Sequence, residues 1–153
     1  MPNFGMFPLS TALLSGQTAT TNGTSANLTV PLGQCYRFTV ELLTATSTTT
    51  NLSVSFYSSS DGGTTYHGIG ALTALTTSGT GRSLLIRPYL GIGDVATAMN
   101  APILGSTDYA TNADVIANGP FDPQHVKVRY LVASNGTVTF NVKADVVPQD
   151  GSD

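Results

Sequence analysis

The residues of this chain best suited to chemistry lie in one run, Ser58-Ser59-Ser60-Asp61-Gly62-Gly63-Thr64-Thr65-Tyr66-His67. An acid, several hydroxyls and a histidine this close together could serve a nucleophilic triad, a metal loop or a turn. A calcium loop needs several oxygen ligands at regular spacing, and Asp61 is the only acid in the run. A nucleophile elbow needs Gly-x-Ser-x-Gly between a strand and a helix. The nearest string, Thr77-Ser78-Gly79-Thr80-Gly81, lacks the first glycine. A triad could combine either of the two histidines, His67 or His125, with Asp61, Asp114 or Asp122 and a serine, but no spacing selects a set. Zinc takes three or four nitrogen or sulfur ligands, which two histidines and Cys35 do not suggest. Glu41, the single glutamate, lies in mid-strand, and the aspartates mostly occupy turns and termini, where aspartate bonds its own backbone. The run is therefore expected to be a hairpin loop, with Thr64 to Leu75 returning as the partner strand. No catalytic residue, cofactor or metal is expected.

The elements that hold this run are strands. From Ala26 onward a period of two dominates. Leu28 and Val30 suggest a short strand ending at Pro31. Over Cys35 to Leu43, Tyr36, Phe38, Val40 and Leu42 share one face and Arg37, Thr39 and Glu41 the other. Over Asn51 to Ser58, Leu52, Val54 and Phe56 point inward and Ser53, Ser55 and Tyr57 outward. Thr44 to Thr50 reads as a hairpin loop between these two strands. Ser83 to Arg87 is a further short strand. The clearest pair is Val126 to Ala133 and Val138 to Val146, joined across Asn135-Gly136, the dipeptide most typical of tight hairpins.

Two regions break the pattern. Residues 1–25 carry Phe4, Met6, Phe7 and Leu9 without a strong period and are expected to form an N-terminal arm, folded back on its own domain or laid on a neighbour. Residues 88–123 hold four prolines and several glycines, with one helical turn expected near Asp94 to Met99. A loop this long is usually a functional or contact element. The domain proper spans 26–147 and a polar tail 148–153. The expected fold is all-β: an antiparallel β-sandwich, jelly-roll or immunoglobulin-like, with an N-terminal arm and a long loop insertion.

Composition narrows the partners. The chain has 153 residues, 41% hydrophobic and only 10% charged, with a net charge of −3. Its six basic residues are scattered, so the positive patch that phosphate binding needs is missing and no direct nucleic-acid contact is expected. A charge-poor surface suits a protein covered by neighbours. One cysteine excludes an intrachain disulfide, and its place in an apolar alternation predicts a buried thiol. No run is long enough to span a bilayer and no secretory signal opens the chain, so synthesis in a cytoplasm and no membrane partner are expected.

The stretch SVSFYSSSDGGTTYHGIGALT, followed by TTSGTG, resembles a pattern of small β-rich structural proteins of tailed bacteriophages, in which a strand ends in Ser-x-Asp-Gly-Gly and turns back. The closing VKVRYLVASNGTVTFNVKADVVPQ resembles their C-terminal hairpin. The similarity covers roughly Leu52 to Val147, and the segment from Tyr89 to Pro123 departs from it. The resemblance implies a non-enzymatic virion component, a decoration or cement protein on the capsid surface. Its partner would be the major capsid protein or another virion subunit, and it would form a homo-oligomer, with a trimer expected. Phe4, Met6, Phe7 and Leu9 would anchor the arm, and Tyr89, Leu90, Ile92 and Ile103 the long loop. A tail or neck location is the alternative. A carbohydrate-binding module using Tyr57, Tyr66, Tyr89 or Tyr109 is a second alternative.

Overall fold

The computed structural model describes residues 9–33, 35–47, 50–86, 104–105, 115–116, 121–133 and 136–147. They form nine strands: β1 (Leu9–Ala19), β2 (Gly23–Thr24), β3 (Tyr36–Ala45), β4 (Asn51–Ser58), β5 (His67–Leu75), β6 (Thr80–Ile86), β7 (Val115–Ile116), β8 (Val126–Ala133) and β9 (Val138–Val146). No helix occurs among the described residues. The strands make two antiparallel sheets, a first of order β1-β9-β3-β6 and a second of order β2-β8-β4-β5-β7.

The alternation read from the sequence becomes the core. Phe38, Val40 and Leu42 of β3 and Phe140, Val142 and Ala144 of β9 are fully buried from the first sheet. Leu52, Val54 and Phe56 of β4 and Val126 and Val128 of β8 meet them from the second. Phe38 and Phe56, one from each sheet, stack with ring centroids 4.6 Å apart. Each such side chain contributes roughly 2–3 kcal/mol on burial, which is why the two faces close on each other as a β-sandwich.

Strand pairing departs from the local signals at two of the three expected hairpins. β3 and β4 belong to different sheets, and so do β8 and β9. The segments between them are crossings from one sheet to the other, and they lie side by side. The Thr46 N–H donates to the Thr137 carbonyl at 3.0 Å, and the Thr137 N–H to Thr46 Oγ1 at 2.9 Å. Gly136 is buried, its φ is not positive, and a Cβ there would overlap Thr50. This glycine therefore serves close packing between two crossings; the left-handed turn of an Asn-Gly hairpin is not what it supplies. β9 pairs instead between β1 and β3 in the first sheet, and β8 between β2 and β4 in the second.

The second half of the segment expected as an arm folds back on its own domain. Leu9–Ala19 is the edge strand β1, paired along β9. Its register shifts between Ala12 and Leu14 and again between Leu14 and Gln17. Such bulges break the period of two, and that is the reason no strand was legible there. The strand expected over Leu28 and Val30 is reduced to a single bridge, Leu28 to Val126. In the segment 88–123, Val115–Ile116 adds a short edge to β5. Phe121 stacks on Tyr36 with centroids 4.9 Å apart. The helical turn expected near Asp94 lies outside the described residues.

Candidate functional site

The SSSDGGTTYH run does join β4 to β5 as a hairpin, with Ser58 opposite His67. Its residue types are explained by the turn. Asp61 Oδ1 accepts the Ser59 hydroxyl at 2.6 Å, the Thr65 N–H at 2.8 Å and the Thr64 N–H at 3.1 Å. These donors, Ser59 first, hold the Asp61 carboxyl down at about 2. Gly62 and Gly63 take φ of 75° and 90°, a region open to glycine at no steric cost. The Ser59 Oγ also accepts the Gly63 N–H at 2.9 Å. Asp61 is thus an acceptor for its own loop, and His67 begins the next strand.

One acid–histidine pair is assembled beside this loop. His125 Nδ1 lies 2.9 Å from Asp122 Oδ2, and both side chains are partly exposed. The Gln124 N–H first, and His125 second, lower the Asp122 carboxyl from its ordinary value. A triad would need a serine hydroxyl on the other ring nitrogen. Ser58 and Ser59 are the buried serines of this corner; Ser59 Oγ donates to Asp61 Oδ1, and Ser58 Oγ lies 3.0 Å from the His125 carbonyl and 3.1 Å from the Asp122 carbonyl. It also accepts the Asp122 N–H at 2.8 Å. The hydroxyl is engaged with backbone on all sides, so it ties the 121–125 turn to β4. The far edge of the His125 ring instead faces Gly63, where a Cβ would lie 3.1 Å from Cδ2. Asp114, the third acid considered, lies outside the described residues. Among the described residues no group of three or more histidine, cysteine or acidic side chains could hold a metal.

Tyr66 completes the corner. Its hydroxyl donates to Asn27 Oδ1 at 2.8 Å, and Lys127 Nζ sits 4.3 Å from its ring centroid. Burial first, then the charge of Asp61, raises its phenol above the ordinary value. Tyr66 is 6% exposed and Tyr57 fully buried. Neither offers a free ring for a sugar to stack on, which corrects the outward placement of Tyr57. That strand lies inside a five-stranded sheet and is buried on both faces. Tyr89 and Tyr109 lie outside the described residues.

This corner belongs to one end of the sandwich, where β1 starts and β6 and β9 end. Leu9 pairs with Val146, Val146 with Tyr36, and Tyr36 with Ile86, forming a single row across the first sheet. β1 therefore begins at this end, and β6 and β9 both finish at it. In the second sheet the row Leu28, Val126, Ser58 and His67 lies at that end too. The Leu104 N–H donates to the Tyr66 carbonyl at 3.0 Å, so part of the long segment lies on this end. Of the residues expected to contact partners, Leu9 stands in this row as the first residue of β1. Phe4, Met6, Phe7, Tyr89, Leu90, Ile92 and Ile103 lie outside the described residues.

A second feature had no signal in any motif. The outer face of the first sheet carries a groove of about 370 Å³ lined by Ala12, Leu14, Thr39, Glu41, Gly81 and Asn141 among others. Asn141 shapes it: its Oδ1 accepts the Gly16 N–H at 2.7 Å and its Nδ2 donates to Glu41 Oε2 at 3.2 Å. The groove forms where β1 bulges and Gly81 has no side chain, which only cross-strand register could reveal.

No family model, curated protein or solved structure matches the chain.

Proposed function

We propose that this chain is a non-enzymatic structural protein of a virion, a decoration protein that bridges subunits on the surface of an icosahedral capsid. The observation that carries the reading is the row Leu9, Val146, Tyr36 and Ile86. It puts the first residue of β1 and the last residues of β6 and β9, to which the N-terminal residues, the proline-rich segment and the tail attach, at one end of a sandwich whose core is filled by its own strands. A sandwich from which three segments attach at one end is suited to reaching into gaps between other subunits. The partner is the major capsid protein or another virion subunit, met through Phe4, Met6, Phe7, Leu9, Tyr89, Leu90, Ile92 and Ile103. Many copies add avidity without any single contact being strong.

The strand order supports a jelly-roll as the type of sandwich. β1-β9-β3-β6 against β2-β8-β4-β5, with β7 added at the edge, is the order produced by two Greek keys. Capsid domains use that fold, and lectins and cupins use it too. A fold does not by itself name a function, so the argument rests on where the segments leave.

The test is binding to empty heads. The purified chain mixed with undecorated capsids should co-sediment and saturate, and native virions should carry it at a copy number far above that of neck proteins. A low copy number would move it to the tail or neck. Replacement of Phe7 and Ile92 by serine should abolish co-sedimentation while the melting temperature holds. Failure of the unaltered chain to bind capsids would end the proposal.

A further inference from the structure

We propose that the outer face of the first sheet is a two-fold interface between two copies of this chain. The register lays the face out as a grid. One row reads Leu85, Arg37, Asp145, the next Ser83, Thr39, Lys143, and the third Gly81, Glu41, Asn141. Leu85 is 44% exposed, an apolar side chain standing in solvent. Two rows away on the same strand, Gly81 forms part of the groove. On β3 the same two rows hold opposite charges, Arg37 and Glu41.

A two-fold axis lying in the plane of the interface, across the strands and through the Thr39 row, uses both features. It turns the second copy over so that its strands run antiparallel and each strand lies over itself. Leu85 of one copy then faces the glycine of the other, and Arg37 faces the other's Glu41, twice in each pair. These groups lie about 7 Å from the axis, two residues along a strand. The usual rotation of about 30° between packed sheets displaces them by roughly 3.5 Å, within reach of an arginine. Lys143 falls near the axis and would meet its counterpart. It lies 3.8 Å from its own Asp145, which also pairs with Arg37 at 3.4 Å, and leans away from the axis toward that buried carboxylate.

The face fits no charged partner as well as it fits itself. Its two acids, Glu41 and Asp145, balance its two bases, Arg37 and Lys143, so it has no net charge to attract a partner of one sign. A self-complementary patch with each residue meeting its mate is the requirement of an isologous contact. Four strands at about 4.8 Å spacing and eight to ten residues at about 3.3 Å give a face on the order of 500–600 Å². A pair buries roughly 1,000–1,200 Å², the lower limit for a specific interface. The dimer is accordingly weak and concentration-dependent. It is a pair where the resemblance led us to expect a trimer, and it stands whether or not the chain belongs to a virion.

The experiment is sedimentation equilibrium on the full chain over a range of concentrations. A reversible monomer–dimer equilibrium is expected. Leu85→Arg and Glu41→Lys should each weaken it by about a hundredfold, because the axis makes every substitution act twice. Circular dichroism should show both variants folded. As a check independent of those variants, Cys35→Ala with Thr39→Cys should be linked into dimers by a short bismaleimide, and Cys35→Ala with Thr29→Cys should not. A monomer at all concentrations, a dimer indifferent to both substitutions, a trimer, or no cross-link through Thr39→Cys would each overturn the proposal.

Discussion

Gly136 sits against Thr50 with no room between them for a side chain. The contact holds together the two crossings that carry β3 to β4 and β8 to β9, so it lies where the chain twice changes sheet.

Gly136→Ala should therefore destabilise the protein by about 1–3 kcal/mol, the usual effect of overpacking a site that cannot give way. Thr50 is β-branched, fully buried and 2.9 Å from Ser47 Oγ, so it has little freedom to move. Thermal melting should show the loss, and Gly136→Ala combined with Thr50→Ala should recover part of it. A melting temperature unchanged by Gly136→Ala would mean the crossings are not packed as described.

The Asp61 loop makes a pH prediction. Its carboxyl is held at about 2, below the ordinary range near 4, chiefly by the Ser59 hydroxyl and the Thr65 N–H. A depressed carboxyl stabilises the fold above its unfolded-state value and loses that contribution as pH falls through its folded value. The window is thus from about pH 4 down to about pH 2. Asp61 is fully exposed, so the effect is small and local. Carbon NMR of the carboxyl should give a midpoint near 2. The melting temperatures of the unaltered chain and Asp61→Asn should differ above pH 4 and converge as the pH approaches 2.

Phe38 and Phe56 bind one sheet to the other, both fully buried. Phe38→Ala should cost about 3–5 kcal/mol, a large share of the roughly 5–15 kcal/mol that keeps a domain folded. Urea unfolding should show a lowered midpoint with little change in slope. A loss below 1 kcal/mol would mean the two sheets do not share this contact.

Cys35 is 1% exposed. A thiol must reach the reagent to react, so it should resist a colorimetric disulfide reagent in the native protein and react at once in denaturant. Rapid reaction without denaturant would contradict its burial.

Much of the architecture was legible because the strands of a sandwich write their inner faces as alternation. Tyr36, Phe38, Val40 and Leu42 all proved buried, and so did Leu52, Val54 and Phe56. The Asp-Gly-Gly turn was legible for the same reason, since acceptor and glycines all act within a few residues. Tertiary structure decided what local pattern cannot encode. Asn135-Gly136 carries a hairpin signal, yet β8 and β9 sit in opposite sheets, where Tyr130 of one meets Phe140 of the other across the core with ring centroids 5.4 Å apart. β1 stayed hidden because two bulges break its alternation while backbone pairing with β9 continues past them. The grid of the outer face and the shared row of Leu9, Val146, Tyr36 and Ile86 depend on contacts between residues far apart in the chain. Alternation is a property of one strand, and register is a property of two.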